Sequence, residues 1–160
     1  MPRTVPKPVI GAAATAALAW TGAAAQTADV PFNGVVTPSC TVLASTPGTL
    51  VVNGAGDLLS SAAGIAGTAL VTATGPGYEA GVDPPFGFDL APSGGGADVA
   101  FSVSYAASGA TVSASLNAGT PVTLTLGATT LTIDAAAQKT SGIFPAGAYR
   151  LLTTVRCVQP

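Results

Sequence analysis

From position 99 to 133 apolar and polar residues take turns along the chain, and that alternation excludes most folds. Val99, Phe101, Val103 and Tyr105 alternate with Ala100, Ser102 and Ser104. Val112, Ala114 and Leu116 repeat the pattern against Ser113 and Ser115, and Val122, Leu124 and Leu126 repeat it against Thr123 and Thr125. A period of two sends successive side chains to opposite faces of an extended chain, so each run reads as a strand with one face buried and one wet. Turns are expected at 106–110 and 117–120. Gly127-Ala128 has the length of a two-residue hairpin loop with glycine first, returning the chain through Leu131 and Ile133. Successive alternating strands with close turns predict an all-β, antiparallel sandwich or barrel.

The remaining segments give weaker signals. Residues 49–52 read as a short strand between Pro47-Gly48 and Asn53-Gly54. Residues 57–67 show no clear period and are expected to be a loop with one helical turn. Residues 68–74 are rich in β-branched side chains and read as a strand ended by Gly75-Pro76-Gly77. Phe86, Phe88 and Leu90 alternate with Gly87 and Asp89, a short strand within a turn-rich region; 135–145, carrying Lys139, reads as a loop. The last element, 148–158, places Tyr149, Leu151, Thr153, Val155 and Cys157 on one face. Arg150 and Arg156 lie on the other, which is therefore the wetter one, and Cys157 is expected on the buried side. Near the start, Val30, Phe32 and Val36 fall on one side of an extended chain with Gly34 between them, the pattern of a half-buried strand.

Residues 1–25 read as a secretory signal peptide. Arg3 and Lys7 form a positive beginning, 9–20 an apolar alanine-rich stretch, and Ala23-Ala24-Ala25 the small residues of a cleavage site. The apolar stretch is too short to span a bilayer, so the mature chain is expected to be exported without membrane insertion. The expected localisation is the periplasm, then the cell surface or outside. Residues 26–160 suffice for a single domain with a substantial core. In that part Lys139, Arg150 and Arg156 stand against seven acids, a net charge of −4. Three scattered cations leave no footprint for nucleic acid or anionic lipid. Charged residues make up only 8% of the chain, the opposite of a disordered composition. A weakly charged surface suits a protein covered by neighbours in an assembly, or simply a neutral secreted domain.

The chemistry of most enzymes is missing. There is no histidine, which removes the commonest general base and metal ligand and rules out a Ser–His–Asp or Cys–His arrangement. No glycine-rich phosphate loop precedes a helix. Glu79, Asp83, Asp89 and Asp98 cluster in sequence, and hard cations such as calcium take several oxygen ligands; their spacing matches no calcium-loop motif, so solvated turn residues explain them better. The expectation is a non-enzymatic protein without cofactor or metal.

The two cysteines, Cys40 and Cys157, form an even pair in a chain with an export signal, for which a disulfide is the default. Closing a loop of more than a hundred residues is worth roughly 4–5 kcal/mol in the chain-entropy picture. Two free thiols or an intermolecular bridge are the competing readings.

Two stretches carry a family resemblance. Val30-Pro-Phe-Asn-Gly-Val-Val, with Ser39-Cys-Thr-Val42 soon after, resembles the start of bacterial chaperone–usher pilins, and among them the spore coat protein U or Csu-type branch. Pro145-Ala-Gly-Ala-Tyr149, followed by an alternating final strand, is similar to that family's closing Gly-x-Tyr strand. The resemblance implies an immunoglobulin-like antiparallel β-sandwich lacking one strand, filled by the N-terminal segment of the next subunit through main-chain hydrogen bonds. It implies Val30, Phe32 and Val36 as the donor side chains, like subunits as partners, and a periplasmic chaperone and usher. A missing-strand groove would hold its flanking strands about 9–10 Å apart. A Cys40–Cys157 bridge fits that only near a groove end, or in a sheet already closed. The leading expectation is thus a secreted structural subunit of a surface pilus or coat, assembled by donor-strand addition. The alternative is a self-contained secreted sandwich acting as a binding or adhesion module. An ice- or surface-binding role rests only on the Thr- and Ala-rich faces.

Overall fold

A computed structural model describes residues 27–160, Ala44 by its backbone alone; the expected signal peptide, 1–25, lies outside the described residues. The chain divides into two compact units, Met1–Gly34 and Val35–Pro160. In the described part of the first, 27–34, no residue belongs to a strand or helix, and Val30 and Phe32 are exposed.

The second unit is all-β. Its strands are β1 (Cys40–Thr46), β2 (Thr49–Val52), β3 (Leu58–Ile65), β4 (Gly67–Ala73), β5 (Glu79–Asp83), β6 (Phe88–Leu90), β7 (Val99–Gly109), β8 (Leu116–Asn117), β9 (Val122–Thr123), β10 (Gly127–Lys139), β11 (Arg150–Leu151) and β12 (Thr154–Val158). All pairings between them are antiparallel. Seven strands form one sheet around β10; β12-β5-β9 and β11-β6 form two smaller ones.

The long strand β10 organises the large sheet because both its edges are used. One edge pairs with β7 from Thr129 to Lys139. The other pairs with β4 as far as Ile133 and with β3 from Ala136 onward. Between the two partners lies a gap in the ladder at Asp134 and Ala135, and the Ser61 hydroxyl fills it. Its Oγ donates to Asp134 Oδ1 at 2.8 Å and accepts the Ala135 N–H at 2.9 Å. A buried serine with both hydrogen-bonding needs met is no burden on the core.

Val71 and Ala73 of β4, Ala80 and Val82 of β5, Val103, Tyr105 and Ala107 of β7, and Leu131 of β10 pack into one core together with Leu124. The large sheet and the β12-β5-β9 sheet therefore bury their inner faces against each other. Small residues supply much of that interface, and Tyr105 fills what they leave. Its hydroxyl donates to the carbonyl of Thr120, and burial pushes its pKa up.

Several local expectations are corrected. Residues 57–67 are mostly strand β3, without a helical turn: its buried positions are Leu59 and Ser61, so an inward serine hid the period. The expected turn at 106–110 is the continuation of β7, and the expected hairpin at Gly127-Ala128 is the beginning of β10, which pairs with β4 and β7 and not with residues 122–126. The runs at 112–116 and 122–126 shorten to the two-residue strands β8 and β9. Residues 135–139 belong to β10, not to a loop, and Lys139 is buried within it. No strand forms at 30–36.

The close approach of β3 to the start of β2 depends on a glycine with no room for a side chain. A Cβ on Gly64 would run into the Thr49 carbonyl oxygen, whereas one on Gly54 would meet nothing within 4 Å. Gly64→Val is expected to cost about 1–3 kcal/mol through displaced backbone, read as a lowered thermal midpoint. Gly54→Ala should leave the midpoint within about 1–2 °C of the parent, the size of a surface change. Equal midpoints for both variants would refute the close approach.

Candidate functional site

The site is built from strand edges that have no partner. Among the described residues β1 pairs only with β4, β12 only with β5, and β11 only with β6. β1 and β12 come together at one point, where Cys40 and Cys157 form a disulfide with their Cα atoms 6.1 Å apart. Neighbouring strands lie about 4.8 Å apart and strands with one missing between them about 9.6 Å. At the bridge, therefore, no third strand fits.

Beyond the bridge the two edges border a groove with a volume of about 880 Å³. Leu59 and Ser61 of β3, Ala69 of β4, and Ile133 and Ala135 of β10 form its floor. One wall is the end of β1 and the turn into β2, from Ser45 to Leu50; the other runs from Phe144 through Tyr149 and Leu151 to Val155. Exposure along β10 shows the opening from below. Thr129 and Leu131 are buried, Ile133 and Ala135 are half-buried, and Ala137 and Lys139 are buried again. The inward face of the last element repeats this: Tyr149, Leu151, Thr153, Val155 and Cys157 all point inward yet stay only half-buried. Of these, Tyr149, Leu151, Thr153 and Val155 line the groove.

The far wall is rigidly backed. Phe88, Phe101, Phe144 and Tyr149 interlock edge-to-face, with Phe88 5.0 Å from Phe101 and 5.1 Å from Tyr149, and Phe144 5.4 Å from Tyr149; such pairs add stabilisation beyond burial alone. The Tyr149 hydroxyl donates to the Pro145 carbonyl at 2.7 Å, closing the loop that precedes β11. Lys139 Nζ donates to the carbonyls of Gly94 and Ala97 and lies 5.4 Å from the centre of the Phe144 ring. On the outer edges, Arg150 pairs with Asp89 and Arg156 with Asp83. Exposed pairs of this kind add little stability. Among the described residues no three of His, Cys, Asp or Glu come together as a metal site.

The bridge between Cys40 and Cys157 joins the two residues singled out in the sequence. Val36, like Val30 and Phe32, is exposed. Residues 37–39 are held outside the groove by Thr74: its Oγ1 donates to the Thr37 carbonyl at 3.0 Å and accepts the Ser39 N–H at 2.8 Å. Sequence reasoning missed the floor. Ser61 and Ala135 gave no apolar signal, and Ile133 was read only as part of a strand returning from a hairpin at Gly127-Ala128. The wall was legible in part, because the inward face of 149–157 was assigned correctly. No protein-family model, curated protein or solved structure matches the chain.

Proposed function

We propose that the protein is an exported, non-enzymatic structural subunit of a surface fibre or coat, an immunoglobulin-like sandwich one strand short, that polymerises by strand addition. The observation that carries this reading is the apolar groove between the unpaired edges of β1 and β11–β12. A strand laid there gains main-chain hydrogen bonds from both edges and covers the half-buried Ile133 and Ala135 of the floor. The same chain offers a matching strand. Val30, Phe32 and Val36 are exposed, and in an extended strand they would fall on one side. Seven residues, 30–36, span about 20 Å when extended, and the wall from Tyr149 to Val155 has the same number of residues. Covering each large apolar side chain is worth about 1.5–3 kcal/mol.

The donor comes from a second copy, because residues 37–39 are tied to Thr74 beside the bridged end, away from the groove lining. A head-to-tail contact of this kind does not close on itself and yields a fibre. Until it is filled, the groove is an exposed apolar patch that calls for a carrier, the place of a periplasmic chaperone and usher.

Electrophoresis of the exported protein without boiling or reductant should give a ladder of subunits. Deleting residues 27–36 should collapse the ladder to a monomer band. A monomer band from the intact chain, or a ladder that survives the deletion, would sink the proposal, and the self-contained binding module would then take its place.

A further inference from the structure

The disulfide has a position that folding stability alone does not require. It joins the two strands that border the groove, and it does so at one end. Cys40 is the first residue of β1 and Cys157 the last but one of β12. Residues 40–43 and 156–158 contribute nothing to the groove lining, which begins at Ser45 on one wall and at Val155 on the other. Between the bridge and the groove β1 carries one extra residue: Val42 pairs with Val71 but Ala44 with Leu70. A bulge of this kind bends its strand, here just before the groove opens. The two edges thus form a wedge with its apex at Cys40–Cys157.

We infer that the Cys40–Cys157 bridge is the end stop of the groove and sets the register of the strand that enters it. This rests on the strand-addition reading above. A stop is needed because the floor specifies register weakly. Sliding a strand by two residues keeps its apolar side chains on the same face, and a floor that includes Ser61, Ala69 and Ala135 has few large knobs to oppose such a slip. At the bridge the 6.1 Å separation leaves no space for a third backbone. An incoming strand can therefore advance only to the apex, and its end defines where every following residue falls. Because β1 and β12 run in opposite directions away from the bridge, the inserted strand is antiparallel to one and parallel to the other.

The test uses the full mature chain with an excess of a synthetic peptide of residues 27–39. A photoreactive benzophenone side chain is placed in turn at positions 30, 32 and 36, and cross-links are mapped by mass spectrometry. In the bridged protein each probe should give one predominant site on the 149–155 wall. Moving the probe by two and then four residues should move that site by as many, in one direction. In Cys40→Ser/Cys157→Ser, shown to be folded by its circular dichroism, each probe should give several sites two residues apart. A single unchanged register without the bridge would overturn the inference, as would several registers in its presence. A second measurement does not depend on the variant folding: with the bridge intact, a peptide carrying Phe32→Ala and probed at 30 and 36 should keep its register. A shifted register would mean that the Phe32 side chain, not the bridge, places the strand. No cross-link from any probe to the bridged chain would instead refute strand addition itself.

Discussion

Replacing Cys40 and Cys157 together by serine is expected to remove about 5 kcal/mol of stability. The two residues are 117 positions apart, and loop-closure entropy grows with the logarithm of that length, giving about 5 kcal/mol at 25 °C. The effect lies chiefly in the unfolded chain, which without the bridge gains conformations that the folded state never had. The folded state also loses something. No hydrogen-bonded ladder joins β1 to β12, so the bridge is what holds these two edges, and with them two sheets, at the apex of the groove. Urea denaturation should show the midpoint falling by roughly 2–5 M. A fall below about half a molar would mean that the apex is held by packing alone. Domains of this size have total stabilities of about 5–15 kcal/mol, so the variant should sit near the limit of folding, and the parent should weaken similarly under reductant. A disulfide of that weight fits an oxidising compartment.

The fold class was open to sequence reasoning because the strands that build the core have two-sided environments. Val103, Tyr105 and Ala107 on β7 alternate with half-exposed Ser104 and Ala106, and such contrast leaves a clear period. The errors fall where the contrast is absent. Ser61 is inward and polar, and it works because Asp134 and the Ala135 N–H take up its hydroxyl, two partners more than seventy residues away. Lys139 is inward and charged because the carbonyls of Gly94 and Ala97 receive its ammonium. Neither arrangement leaves a trace in local patterning, so β3 was read as a loop and β10 was cut short. The turn at 106–110 failed for another reason. Ala106, Ala107, Ser108 and Gly109 are weak strand formers, and pairing with Thr129 to Thr132 of β10 overrides that preference.

The groove is harder to read than the core, since it depends on how separate sheets come together. Alternation at 149–157 indicated which side chains turn inward, yet a strand whose inward face is covered and one whose inward face is open carry the same pattern. What separates them is the partial exposure of Ile133, Ala135 and Val155, a property of the assembled sheets. The segment 30–36 shows the converse. Its alternation predicts a half-buried strand, and within the single chain that strand does not form. The alternation there meets no burial within the chain, where Val30, Phe32 and Val36 are exposed.

Tyr105→Ala is expected to destabilise the domain by about 3–5 kcal/mol, the range for removing a large buried aromatic side chain. The inner faces of the two sheets are furnished largely with small residues, among them Ala69, Ala73, Ala80, Ala107 and Ala137. Such a core has few large side chains, and Tyr105 is the largest of those fully buried. It rises from β7 and reaches across to the opposite layer, where its hydroxyl donates to the Thr120 carbonyl, with the Ala80 carbonyl 3.4 Å away. The methyl of alanine cannot refill the space, and the surrounding alanines are too short to collapse into it. The Thr120 carbonyl would also lose its donor. Tyr105→Phe separates the contributions, because it keeps the ring and deletes the hydroxyl alone. That change should cost about 1–2 kcal/mol, the loss of one buried hydrogen bond with its acceptor left unpaired. Chemical denaturation of the two variants with the Cys40–Cys157 bridge intact would measure both. If Tyr105→Phe proved as damaging as Tyr105→Ala, the hydroxyl would be the true tie between the sheets and the ring mere filling. If Tyr105→Ala cost less than about 2 kcal/mol, the layers would have to be held together chiefly by the alanine contacts and the disulfide.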